Sequence, residues 1–269
     1  MVSNPQFTTV QPVRPVAPYL GGKRNLAKRL VARIQDVPHD SYCEPFVGMA
    51  GVFLRRTERP RAEVINDLNK DVANFFRVLQ RHYIAFLDMI RFQLTVRAEF
   101  ERLVATDPAT LTDLERAARF LYLQRNAFGG KVAGQSFGVS ADRPGRFDLA
   151  KLGPMLEDLH SRLSGVVIEC LPWDQFVRRY DRSSTLFYLD PPYWGGEDDY
   201  GKGMFARADY ERMAEELQGM TGRFILSIND VPEIREVFGN FHIETVKTTY
   251  TVSKASKTPA QELIVSNVR

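Results

Sequence analysis

A chain of 269 residues that is 44% hydrophobic has material for one large domain, or for one domain carrying an insertion. Its net charge of +3 and pI near 8.8 permit a polyanionic partner without demanding one. Cys43 and Cys170 are too far apart for a disulfide scaffold, the four histidines lack metal-ligand spacing, and no apolar run is long enough to span a membrane.

Both cysteines lie in apolar segments and are expected to be buried thiols. The N-terminus lacks a signal-peptide core, so an intracellular soluble protein is expected. Residues 1–17 show no helical period and read as an irregular, partly mobile arm. Gly21 and Gly22 then allow a tight approach to the backbone, and Leu26, Leu30, Val31 and Ile34 repeat at helical spacing. Lys23 falls near the start of that helix. There it opposes the dipole unless an anion is close, or it is a solubilising lysine in a turn.

Ser41 to Phe46 reads as a strand. Val47 to Leu54 reads as a glycine turn opening a helix, the first half of a nucleotide-binding unit. A second strand, Ala62 to Ile65, ends at Asn66-Asp67. Asp67 stands where an acidic residue meets ribose hydroxyls, or else caps a helix over Leu68 to Leu79. From Asp71 to Leu163 the apolar positions recur at three and four, which predicts a helical insertion at 71–163 between two catalytic-domain segments, 1–70 and 164–269. Within it, Gln124 to Arg146 is polar and basic, with Phe128, Phe137 and Phe147 interleaved. Such a loop stacks on bases and meets phosphates, or tucks its rings into the insertion. Strands are expected at Val166–Glu169, Thr185–Leu189 and Phe224–Ile228, helices at Asp174–Tyr180 and Tyr210–Leu217, and an antiparallel pair at Phe241–Tyr250 and Glu262–Val268. The glycine-rich stretch Trp194 to Gly203 is a candidate lid.

The strand Thr185–Leu189 ends at Asp190-Pro191-Pro192-Tyr193. In an α/β sheet ligands bind at the carboxyl ends of strands. An acceptor-only carboxylate, carbonyls held by prolines and a ring face suit a flat molecule with an exocyclic amino group, such as a nucleobase. A surface Asp in a Pro-rich turn is the plainer reading of those four residues alone.

In order and spacing, Tyr19-Leu20-Gly21-Gly22-Lys23, Glu44-Pro45-Phe46-Val47-Gly48, Asp67, Leu121-Tyr122-Leu123-Gln124-Arg125, Asp190-Pro191-Pro192-Tyr193 and Glu262-Leu263-Ile264-Val265-Ser266-Asn267 resemble the Dam-type DNA adenine N6-methyltransferases over nearly the whole chain. The resemblance implies a Rossmann-like α/β methyltransferase sheet with a helical target-recognition insertion, S-adenosylmethionine as cofactor and no metal. It implies double-stranded DNA as partner and methylation of a flipped adenine. By position, Tyr19, Lys23, Phe46, Gly48, Asp67 and Asp190 would hold the cofactor. Asp190 and the Pro191 carbonyl, with Pro192, would hold the amino group, and Tyr193 would stack on the base. Phe128 falls where a family member sets an aromatic against the DNA stack. Arg125, Asn126, Lys131, Arg143 and Arg146 are the other DNA-binding candidates.

A cytoplasmic, nucleoid-associated monomer of bacterial or phage origin is implied, with a cognate restriction enzyme or an orphan role both open. The chain departs from the pattern at Tyr19, commonly tryptophan, at Ala50, commonly glycine, and at Ala133, where a family member has a base-reading arginine, so a GATC target does not carry over. Methylation of cytosine N4, a non-catalytic DNA-binding relative and a small-molecule or protein methyltransferase are the competing readings. The aspartate, the intact tetrapeptide and the basic insertion argue against them in turn.

Overall fold

The computed structural model describes residues 7–138, 142, 144–201, 203–253 and 256–268. The chain begins with β1 (Thr8–Thr9), α1 (Ala27–Asp36), β2 (Ser41–Glu44), β3 (Glu58–Arg59) and β4 (Ala62–Asn66). Five helices follow: α2 (Lys70–Arg81), α3 (Tyr83–Ile90), α4 (Arg97–Ala105), α5 (Asp113–Asn126) and α6 (Leu149–Arg162). The chain then returns through β5 (Val167–Glu169), α7 (Trp173–Tyr180), β6 (Thr185–Leu189), α8 (Ala208–Gln218) and β7 (Arg223–Asn229). It closes with α9 (Pro232–Val237), β8 (His242–Ser253) and β9 (Ser256–Ser266).

Seven strands make one sheet in the order β5-β4-β2-β6-β7-β9-β8. The first five are parallel, while β9 runs antiparallel to both β7 and β8. This is a doubly wound, Rossmann-like α/β sheet ending in a reversed pair. The winding changes direction between β2 and β6, so the crevice beyond their carboxyl ends is where such a sheet binds ligands. Phe46 and Asp190 follow those two ends.

Period-two alternation divides the core. Tyr42, Leu186 and Tyr188 face one apolar cluster with Leu30 and Ile34 of α1. Cys43, Phe187 and Leu189 face another, with Phe176 of α7 and Tyr210 and Met213 of α8. All five residues of β6 are buried, which is why its sequence is a continuous apolar run. The helices α2 to α6 share the first cluster: Phe75, Phe86, Phe100, Phe120 and Leu156 belong to the same continuous apolar mass as the sheet residues. Local signals start these helices. Asn69 caps α2 by accepting from Asp71 N, and Thr112 and Glu115 form a reciprocal capping box on α5. Glu63 on β4 ties the insertion down electrostatically, for its buried carboxylate meets Arg162 of α6 at 2.6 Å and Arg56 at 2.7 Å.

Three expectations change. The stretch after β2 opens no α-helix; it forms turns and a short 3-10 segment, Phe53–Arg55. Gly48 and Ala50 both have positive φ, at 49° and 58°, which a right-handed helix does not accept. The described part of the N-terminal arm is docked: Val13, Val16 and Ala17 are buried, Val10 N donates to Thr57 O, and β1 pairs with β3. Cys43 is buried, but Cys170 is exposed, because it lies just past the end of the edge strand β5.

Candidate active site

Asp190 leaves the end of β6 as a largely enclosed carboxylate. Its Oδ1 lies 2.5 Å from Lys23 Nζ and accepts from Ser227 Oγ at 3.3 Å. Ser227 sits on the neighbouring strand β7, and its hydroxyl shares a 2.7 Å bond with Tyr188 OH on β6. Oδ1 takes both bonds, so Oδ2 has no partner among the described residues. Burial pushes the Asp190 carboxyl up to about 6, against the pull of the Lys23 ammonium. Lys23 is itself buried, and its Nζ stands 4.4 Å above the centre of the Tyr193 ring. The anion that its position demanded is thus the strand-end aspartate, and the solubilising reading of Lys23 falls away.

The turn after Asp190 is fastened from behind. Tyr210 OH of α8 donates to Pro192 O at 2.9 Å. Asn229 at the end of β7 clamps Trp194, accepting from its N at 2.9 Å and donating to its O at 3.1 Å. The Pro191 carbonyl accepts no bond among the described residues. A ring, an aspartate oxygen and a carbonyl are therefore set on a rigid turn.

Beside them opens a cavity of about 820 Å³, lined by Tyr19, Lys23, Phe46, Gly48, Asp67 and Asp190 among others. The loop after β2 lies close against Tyr19. A Cβ on Gly48 would stand 2.8 Å from that ring, so only glycine permits the approach. Asp67 accepts from Gly48 N and Asn69 N, each at 2.9 Å, while the helix cap is Asn69. Burial raises the Asp67 carboxyl to about 6 despite those two donors. Tyr200, from the glycine-rich stretch, lays its ring 5.9 Å from Tyr19 and donates its hydroxyl to Leu20 O at 3.0 Å. The stretch therefore already spans the cleft. Apolar walls from Phe46, Leu171 and Trp173, with the Asp67 carboxylate in the same cavity, fit an uncharged aromatic nucleoside with vicinal hydroxyls.

The insertion candidates divide. Phe128 is 49% exposed, and Lys131 is exposed beside it. Arg125 donates to Arg146 O and to Val16 O, a clasp between insertion and arm. Asn126 is buried and donates to Tyr122 O. Arg146 is half-buried and donates to Ala127 O at 3.0 Å. Arg125, Asn126 and Arg146 brace the loop, because a loop leaving a helix needs partners for its carbonyls. Phe147 is buried and Phe137 packs on Phe100. Arg143 lies outside the described residues.

Ser227, Tyr188, Tyr210 and Asn229 were not singled out from sequence. Ser227 and Asn229 occupy alternate positions at the end of a strand paired with β6. That signal becomes readable only once the strand order is known.

Residues 19–252 match the model of the D12 class N6 adenine-specific DNA methyltransferase family. The Type II methyltransferase M.CviBI of Paramecium bursaria Chlorella virus NC1A is 24% identical over 87% of this chain and 90% of its own. The Type II methyltransferase M1.LlaDCHI of Lactococcus lactis subsp. cremoris is 23% identical over 95% of both. The retron Ec67 DNA adenine methylase of Escherichia coli is 25% identical over 84% of this chain and 82% of its own.

Proposed function

The chain belongs to the D12 class N6 adenine-specific DNA methyltransferase family, and from that premise we propose that its cleft binds S-adenosylmethionine and presents Asp190 to a flipped adenine. The observation that carries the reading is the contiguity of the two halves. One cavity is lined both by Asp67 with the Phe46–Gly48 loop and by Asp190. Phe46, Leu171 and Trp173 would sandwich the cofactor's nucleoside, Asp67 would accept from its ribose hydroxyls, and Gly48 leaves room for its amino-acid arm. When bound, the cofactor supplies a methyl group made electrophilic by a sulfonium.

The amino nitrogen of adenine is a weak nucleophile because its lone pair is delocalised into the ring. Asp190 Oδ2 and the Pro191 carbonyl accept its two N–H bonds. This favours a tetrahedral nitrogen and directs the lone pair away from the ring plane. Asp190 does not need to deprotonate the neutral amine. The nitrogen's proton would become acidic as the C–N bond forms and the methyl–sulfonium bond breaks to leave a neutral thioether, and a carboxylate with pKa near 6 would take it and pass it to water. Lys23 and Ser227 fix Oδ1 throughout. The target atom is inaccessible in a duplex, so the base must leave the stack at a cost of a few kcal/mol. Stacking on Tyr193 recovers about 1–3 kcal/mol.

The 71–163 segment supplies the DNA-facing surface, with Phe128 and Lys131 its outward members; the catalytic unit is 1–70 with 164–269. The protein acts as a monomer in the cytoplasm, with or without a restriction partner. Expression in a methylation-free bacterial host, followed by long-read sequencing, tests the reading. The expected result is N6-methyladenine at one recurring sequence. It disappears on Asp190→Ala, while cofactor and duplex binding partly survive. Modified bases retained in the mutant would sink the assignment.

A further inference from the structure

Three arginines gather at one end of the cleft without a carboxylate to match them. Arg14, Arg24 and Arg55 all line the cavity. One backbone hydrogen bond and one close approach put them together. Val13 N donates to Leu54 O at 2.7 Å, bringing Arg14 beside Arg55. Arg55 Nη1 and Lys23 N both lie 3.7 Å from the point where a Cβ on Gly51 would stand, which brings Arg24 to the same place. Arg55 donates to Gly51 O, but none of the three forms an ion pair among the described residues. Elsewhere on the surface arginines are commonly matched, as Arg29 and Arg33 are with Glu244, Arg77 with Asp113 and Arg178 with Glu216. Like charges placed this way oppose folding. Burial, and then Arg24 and Arg14, push the Arg55 guanidinium below its ordinary range.

We propose that Arg14, Arg24 and Arg55 form a phosphate-gripping rim that holds the backbone of the DNA strand carrying the target adenine, an inference that rests on the function proposed above. The charge of the alternatives decides the occupant. S-adenosylmethionine offers one carboxylate but also an ammonium and a sulfonium, so its net charge is positive and three guanidinium groups repel it. A phosphodiester chain is a dense line of negative charge, and guanidinium forks match its oxygens in pairs. Position agrees. Arg24 follows Lys23, whose ammonium touches Asp190, so a nucleotide delivering its base to Asp190 brings its own phosphates to this rim. Arg14 and Arg24 are exposed and reachable from outside. The docked N-terminal arm thereby gains a purpose, since it carries Arg14 to the mouth of the cleft.

The test measures binding of a fluorescein-labelled DNA duplex to the full chain at rising potassium chloride, with S-adenosylhomocysteine affinity measured in parallel. Arg14→Gln and Arg24→Gln are each expected to lower the slope of log affinity against log salt by about one. The double variant should weaken binding roughly tenfold near physiological salt, equally for different sequences. Arg→Lys at both positions should restore the slope, because charge is kept. Cofactor-product affinity should not move. An unchanged slope in the glutamine variants overturns the rim, as does a loss confined to S-adenosylhomocysteine binding, which would assign the arginines to a carboxylate. If the wild-type chain methylates DNA while the variants match it in slope, the rim alone fails. If the wild-type chain neither binds nor methylates DNA, the functional reading fails with it.

Discussion

The strand-end turn and the loop that follows α5 are built on opposite plans. At the turn, Asp190, Lys23, Ser227 and Tyr188 are bonded to one another inside the protein, and Pro192 and Trp194 are held by side chains from α8 and β7. In the loop, Arg125, Asn126 and Arg146 are spent on carbonyls of the protein itself, and Phe128 and Lys131 point outward. A reaction centre must be fixed before its substrate arrives, so the groups that position Asp190 are bonded in advance through Oδ1, and Oδ2 and the Pro191 carbonyl are left to accept. A reading surface must leave its contacting groups available. The polar residues of such a loop therefore split into a bracing set and a presenting set, and sequence does not say which is which.

Five perturbations probe the two plans, in falling order of effect. Asp190→Ala should lower the methylation rate by at least about 10²–10⁴-fold, read by transfer of labelled methyl groups, with a folded circular dichroism spectrum. The same rate should fall in the wild type as pH drops through about 6, where Asp190 becomes protonated. Glu63→Ala should cost about 3–5 kcal/mol in urea unfolding, because it leaves Arg162 and Arg56 buried without their carboxylate. Phe128→Ala should weaken duplex binding by about 1–3 kcal/mol and leave urea stability unchanged. An equal loss of stability would place Phe128 in the bracing set. Ser227→Ala should leave cofactor affinity intact and move the acid limb of the rate profile to higher pH, since the Ser227 bond favours the charged form of Asp190. Ser227→Thr should restore it.

A further change reports on the cleft floor. Burial raises the Glu44 carboxyl to about 8, with the Tyr42 hydroxyl bond only partly opposing it. The folded state thus binds a proton that the unfolded chain releases near its ordinary pKa of about 4.5. Between those values the ligand-free protein loses stability as pH rises, and the loss is complete above about 8. Glu44→Gln keeps an acceptor for Tyr42 OH and removes the charge. It should be more stable than the wild type near pH 9 by on the order of a few kcal/mol, and no more stable near pH 4.

The parts legible in sequence were those written in consecutive residues. The run from Thr185 to Leu189 named a buried strand, and the tetrapeptide after it lies at that strand's carboxyl end beside the cleft. The apolar periodicity of 71–163 named helices, and α2 to α6 run through that stretch with no named strand among its described residues. What failed depended on distant neighbours. Val47 to Leu54 looked helical because its apolar residues are dense. They are dense because most of the segment is buried, and the backbone at Gly48 and Ala50 is left-handed. The N-terminal arm lacked a period because it packs as extended chain along Leu54 and Thr57. Ser227 reaches Asp190 across 37 residues of sequence, and no local pattern carries that contact.

The insertion and the sheet have no seam between them. Phe75, Phe120 and Leu156 belong to the same apolar mass as Leu30, Leu186 and Ile225, and Glu63 bolts α6 onto β4. A designer wishing to retarget this enzyme therefore gains little by transplanting a relative's whole insertion. The graft would replace part of that shared apolar mass and leave Glu63 without its Arg162 partner. The separable part is the skin around Phe128 and Lys131, whose replacement disturbs no shared interior. On the function proposed above, new sequence preferences are best sought there, one side chain at a time, with the chassis underneath left whole.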